Sequence, residues 1–263
     1  MNITVVPEAK VIFGLGQQST FVSMKLQKQF LPAFLFLGWV SLSGFQLSAQ
    51  DLDNQLWMNY ALKVPVNDRL SWGGDAGVRG AFTNLDWHQA LIRPAVNYQF
   101  KESASVSGAV AWFGTFINES SSINELRFHQ ELNAKWPDLG VVHFFYRIRV
   151  EERFFFYQRD IPNEFRVRLR GLVGVRTQDL NWFGPKRPIY FESMFEGFKT
   201  IKDEEALEIL INQARLYTAF GHRISKNFRY ELHYIYQGST LFTGEGPDSS
   251  QNIFRIRLFH TLK

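Results

Sequence analysis

Arg147-Ile148-Arg149-Val150-Glu151-Glu152-Arg153-Phe154, answered by Arg166-Val167-Arg168-Leu169-Arg170, alternates charge with apolar side chains almost residue by residue. A period of two is the period of a β-strand, so each segment turns its charges to one face and its apolar side chains to the other. The two faces must therefore meet very different surroundings. A membrane barrel puts the apolar face outside and the polar face in its lumen, whereas a lipocalin-like barrel holds an apolar ligand inside and shows its charges to water.

Outward from this stretch, eleven alternating segments follow one another, separated by turn residues: 54–64, 69–83, 88–100, 104–117, 124–136, 141–157, 164–177, 189–199, 212–224, 228–240 and 252–262. No Ser/Gly linker or change of composition divides them, so they read as one domain. Most are long enough to cross a bilayer as tilted strands, which takes about 9–11 residues. Their connections alternate in length, as on the two rims of an outer-membrane barrel. Val66-Asn67-Asp68, Lys101-Glu102-Ser103, Pro137-Asp138-Leu139-Gly140 and Ser225-Lys226-Asn227 are short, while 118–123, 200–211 and 241–251 are longer. The middle long loop, with Asp203, Glu204, Glu205 and Glu208, has room for a helical turn. Short turns follow the odd-numbered segments, which starts the first segment on the rim opposite the one where the last segment ends. Because single-chain bacterial barrels have even strand numbers, this parity favours ten or twelve strands, with one segment missed or merged.

Composition agrees with strands and with interfacial belts: of 263 residues 16% are aromatic, with 26 Phe against 4 Met. Cysteine is absent, which excludes disulfides and thiolate metal sites. Near the N-terminus, Met24-Lys25-Leu26-Gln27-Lys28 precedes an apolar run from Phe30 to Phe45 and then Leu47-Ser48-Ala49-Gln50, the basic, apolar and small-residue parts of a secretory signal. Residues 24–49 are expected to be that signal, cleaved after Ala49, and residues 1–23 to lie upstream of the true start at Met24. The mature chain, 50–263, then loses Glu8, Lys10, Lys25 and Lys28, and its formal charge falls from +4 to +2. A chain so near neutrality gives no case for nucleic acid as a partner.

Three features favour the membrane arrangement over the lipocalin-like one. The segments have bilayer length, and Phe144, Tyr146, Ile148, Val150, Phe154 and Phe156 form an apolar series, repeated by Tyr230, Leu232, Tyr234 and Tyr236. Aromatic residues near segment ends suit the two interfaces of a membrane. The charged face is also richer in arginine than a solvated surface needs. The expected fold is thus all-β, an antiparallel transmembrane β-barrel of about 10–12 strands with a charged lumen and an apolar lipid-facing exterior.

Gln55-Leu56-Trp57, Glu125-Leu126-Arg127-Phe128-His129-Gln130-Glu131, the opening stretch 147–154, Arg166 to Arg170, Glu192 and Arg215 together resemble the DUF2490 group of outer-membrane β-barrels, found mostly in Bacteroidetes. The resemblance covers essentially the whole mature region. It implies a location and an architecture, in the outer membrane of a Gram-negative bacterium with its lipid as surroundings, and it implies no activity.

The candidate functional feature is a lumen charge network of Glu125, Arg127, Glu131, Arg147, Arg149, Glu151, Arg153, Arg166, Arg168, Arg170, Glu192 and Arg215. One reading is a salt-bridge lattice that fills and stiffens a narrow lumen, since a buried charge is costly unless paired and hydrogen-bonded. The other is an arginine-lined conduit or pocket for a small anionic solute, because guanidinium forks match carboxylate and phosphate. Long side chains in a barrel of this size favour the first.

Enzyme signatures are missing from the sequence. A barrel lipid hydrolase needs a histidine two residues before a serine on one strand face, and His88, His129, His143, His222, His233 and His260 offer none; His222 and Ser225 are three apart. A rim protease needs converging acids, and Glu245 and Asp248 stand alone in a loop. For metals, His129 with Glu131 and Glu231 with His233 share a face at a spacing of two, and each would need a third ligand from a neighbouring strand. The loop from Phe242 to Ser249 lacks the ligand periodicity of a calcium motif. The expectation is a non-enzymatic barrel without cofactor or metal, a scaffold or narrow passive conduit. Its rivals are a soluble periplasmic lipocalin-like barrel, an outer-membrane lipid hydrolase and a subunit of an envelope export system.

Overall fold

A strand that alternates in character must be closed by neighbours on both edges, because an unpaired edge leaves its backbone groups unsatisfied. In the computed structural model every strand has both. The structure describes residues 53–82, 87–117, 121–158, 161–201, 213–239 and 250–262. The upstream region 1–23, the expected signal 24–49, the loop with Asp203 to Glu208 and the loop from Phe242 to Ser249 lie outside the described residues.

The strands are β1 (Asp53–Pro65), β2 (Leu70–Ala81), β3 (Trp87–Lys101), β4 (Ala104–Ile117), β5 (Ser121–Lys135), β6 (Val142–Tyr157), β7 (Glu164–Thr177), β8 (Ile189–Ile201), β9 (Gln213–Arg223), β10 (Phe228–Ser239) and β11 (Ser250–Thr261). They match the eleven sequence segments to within three residues at each end. Each pairs antiparallel with its chain neighbour, and β1 pairs with β11, closing a barrel. The expectation of an even strand number is therefore overturned. No segment was missed or merged. With eleven strands the first and last run the same way, so the closing seam is parallel, from Asp53 opposite Gln251 to Lys63 opposite Thr261.

One rim carries the connections after odd-numbered strands, and most are tight: Val66 and Asn67 both donate their N–H to the Leu70 carbonyl, and Ile224 and Ser225 both donate to Phe228. The exception on this rim is 178–188, which is pinned to β8 by paired hydrogen bonds between Leu180 and Ile189.

The pleat assigns the two faces. Arg149, Glu151, Glu125, Arg127 and Glu196 are buried inside, while Ile148 (49% exposed), Val150, Phe144, Tyr146, Ile92, Val96, Leu132, Leu169 and Val173 stand on the outer surface. Glu152 breaks the alternation of β6 and lies on the apolar face, opposite Phe128 and Val167. Outward aromatics collect at the strand ends: Trp72, Trp136 and Tyr146 near the short-turn rim, Phe82, Phe116, Phe156 and Phe165 near the other.

The interior is not purely charged. Trp57, Leu172, Met194, Tyr217, Ile235 and Ile253 form one buried apolar cluster, and Leu91, Ala111 and Phe113 form another. These inward side chains lie among the charged ones, so the lumen is lined by apolar as well as charged groups.

On β2 the backbone at Gly74 has φ +132°, and a Cβ there would lie 1.9 Å from the Arg93 carbonyl oxygen. Only glycine tolerates both the dihedral and the contact. Gly74→Ala is expected to destabilise the barrel by about 2 kcal/mol or more. Gly108→Ala, with open space around the new methyl group, should stay within about 0.5 kcal/mol. Urea unfolding followed by tryptophan fluorescence separates the two; equal effects would contradict the geometry at Gly74.

Candidate functional site in the charged lumen

Strands β5, β6 and β7 supply most of the charges because their central inward positions are largely Arg or Glu, and β8 adds Glu192 and Glu196. In register, Glu131 faces Arg149, Arg149 faces Arg170, and Glu151 faces Arg168. Glu151 thus meets guanidinium groups from its own strand and from both neighbouring strands.

Glu151 is the centre. It is fully buried and accepts from Arg168 at 2.5 Å and Arg170 at 2.6 Å, with Arg149 at 3.3 Å and Arg127 at 3.6 Å. Glu125 takes Arg127 at 2.8 Å and Arg153 at 2.6 Å. Glu131 accepts from Arg149 Nε at 2.7 Å and from the Asn133 amide at 2.7 Å, with Arg147 at 3.7 Å. Arg147 and Arg170 converge on Glu196 at 2.6 Å and 2.8 Å, and the Tyr217 hydroxyl donates to the same carboxylate at 2.5 Å.

Nine of the twelve sequence candidates therefore form one connected lattice: Glu125, Arg127, Glu131, Arg147, Arg149, Glu151, Arg153, Arg168 and Arg170. Three do not join it. Arg166 pairs locally with Glu164. Glu192 stands 3.9 Å from Arg176, beside a cavity of about 790 Å³ that opens toward the short-turn rim and reaches Glu131. Arg215 makes no ion pair; its Nε donates to Gln237 at 2.5 Å.

Sequence reasoning missed Glu196 and Tyr217. Glu196 shares parity with Glu192 on β8, four residues on, so the inward face of that strand offers two candidates, of which Glu196 meets the lattice and Glu192 pairs with Arg176.

A second cluster occupies β8, β10 and β11. The Tyr190 hydroxyl donates to Glu231 at 2.7 Å, and His233 Nε2 lies 2.9 Å from the same carboxylate. Arg255 donates to His233 Nδ1 at 3.0 Å, which fixes the tautomer with the proton on Nε2. Both ring nitrogens are thus engaged, so His233 has no free lone pair to offer a metal. Among the described residues no three His, Asp or Glu side chains are gathered as ligands.

The chain belongs to the family described as protein of unknown function (DUF2490), whose model matches residues 54–246. No curated protein matches it.

Removing the central carboxylate would leave several buried guanidinium groups facing one another. Glu151→Gln is expected to destabilise the barrel by about 3–5 kcal/mol. Glu164→Gln, whose partner Arg166 is part-exposed, should cost about 1 kcal/mol or less. Denaturant midpoints of the two variants test this, and a Glu151→Gln barrel as stable as the parent would show that the lattice does not hold the interior.

Proposed function

We propose that the protein is an integral outer-membrane β-barrel, exported by the segment 24–49, whose lumen is closed by the arginine and glutamate lattice so that it serves as an envelope scaffold or, at most, a very narrow passive conduit. The observation that carries this reading is the facing: charges and their partners point inward on β5 to β8, and exposed apolar side chains cover the outer face. A soluble barrel would present that outer face to water at great cost, since contiguous exposed apolar surface beyond a few hundred Å² marks an interaction site. A bilayer removes the cost. The outward aromatics gathered at both strand ends, with Ile92, Val96, Leu132 and Ile148 between them, suit two interfaces and a hydrocarbon band. Strand lengths from 11 to 16 residues allow a tilted crossing.

A lipocalin-like barrel would need the opposite facing, with an apolar cavity; here the deepest interior holds Glu151 and Glu196. The hydrolase reading has no His-x-Ser pair to work with. The lattice and the apolar clusters leave open space toward the short-turn rim and close the middle, which supports a plugged lumen over a wide pore.

Three outcomes follow. The protein should fractionate with outer membranes, require detergent for extraction, and migrate differently on gels before and after heating; solubility in buffer alone would remove the membrane reading. Ile148→Arg should cost about 2–4 kcal/mol if Ile148 lies near the midplane of the bilayer. In planar bilayers the purified protein should conduct little, and a large, weakly selective conductance would mean that the lattice does not block the lumen.

A further inference from the structure

Three inward arginines have no carboxylate partner. Arg79 Nη1 donates only to Gln89 at 3.2 Å, Arg215 to Gln237, and Arg255 to His233. Their guanidinium groups rest instead on aromatic faces. Arg79 lies 4.2 Å and Arg215 5.2 Å from the centre of the same Trp57 ring, and Arg255 lies 5.4 Å from Tyr217. In register Trp57 is flanked by Arg79 on one side and Arg255 on the other. The Nε groups of Arg79 and Arg255 are buried without any hydrogen-bond partner.

We propose that Arg79, Arg215 and Arg255 form a binding site for a tetrahedral oxyanion of the phosphate type inside the lumen. An aromatic face attracts a cation but neutralises nothing and accepts few hydrogen bonds. A guanidinium carries five N–H donors, so most of those on the three arginines point at no protein acceptor. A buried donor left unsatisfied is costly, and three adjacent positive charges repel one another. An oxyanion removes both costs at once, because its oxygens accept fork-like pairs from several guanidinium groups. The neighbouring arginines of the lattice solve the same problem with glutamate; none of these three reaches a carboxylate within ion-pair distance, although Arg215 stands opposite Glu196 in register, and each is only part-buried as a residue. The site depends only on inward side chains, so it stands or falls separately from the membrane placement.

The test uses purified full-length protein in an uncharged detergent, with sodium phosphate against sodium chloride at equal ionic strength. Phosphate should raise the unfolding temperature by about 5 °C at saturation, and ³¹P resonance broadening should saturate and be displaced by sulfate. In the Arg79→Gln, Arg215→Gln double variant phosphate should bind at least about tenfold more weakly. That variant should also be more heat-resistant than the parent in chloride, because like charges are gone; a purely structural role predicts the reverse. Arg69→Gln, on an exposed turn, should respond to phosphate as the parent does. A parallel titration with dodecyl phosphate separates the sources: stabilisation by inorganic phosphate identifies a free ion, and stabilisation by dodecyl phosphate alone a lipid headgroup. Equal unfolding temperatures in phosphate and chloride, with no response to dodecyl phosphate, would overturn the site, as would an undiminished phosphate response in the double variant. Should the double variant fail to fold, the ³¹P titration of the parent decides: saturable broadening displaced by sulfate supports the site, and its absence removes it.

Discussion

A guanidinium group carried on the inner face of a closed barrel has nowhere to discharge its electrostatic cost except onto another inward side chain. Everything in the interior follows from that constraint. The carboxylate of Glu151 answers it by gathering arginines from β5, β6 and β7, and Glu196 extends the same solution to β8 and, through the Tyr217 hydroxyl, to β9. Such a lattice is not a strong source of stability compared with a well-packed apolar core. Its effect is on specificity. A one-residue slip of β6 against β7 would turn every arginine of one strand into the apolar face of the next, so charge pairing and hydrophobic facing fix the same register.

The strand plan was legible because alternation is local. Arg147 to Arg153 announces its period without help from any other part of the chain, and the turn residues that bound the eleven segments are chemically distinct from them. What the sequence could not carry was closure. The parity of the turns points to an odd strand count, against the even numbers usual in single-chain bacterial barrels; the parallel pairing of β1 with β11 is a relation between residues almost two hundred positions apart that leaves no periodic trace.

The lattice was legible in part, for a related reason. Parity tells which face a charge occupies but not its height along the barrel axis, and partners are chosen by height. Glu192 and Glu196 are indistinguishable by parity, yet only Glu196 meets Arg147 and Arg170, while Glu192 faces the open end beside Arg176. The apolar plugs were hidden for the opposite reason. Trp57 and Ile253 each occupy an inward position among polar neighbours, where a single apolar residue reads as an irregularity of the alternation rather than as part of a core assembled from distant strands.

Closure and electrostatics meet at Trp57. Because the seam is parallel, β1 lies between β2 and β11, and its one large inward ring stands between Arg79 and Arg255. An antiparallel partner from a twelfth strand would have placed other side chains beside that ring. Around β5 to β8, four glutamates, Glu125, Glu131, Glu151 and Glu196, share six arginines, each of which meets at least one carboxylate. At the seam the inward positions of β1 next to Trp57 are Gln55 and Asn59, polar but uncharged, so β1 offers no carboxylate to the arginines that flank Trp57. The odd strand count thus decides what stands beside Trp57: it brings β1 between β2 and β11, and the two arginines so placed, unlike those of the lattice, reach no carboxylate; the proposed anion site follows from that topology.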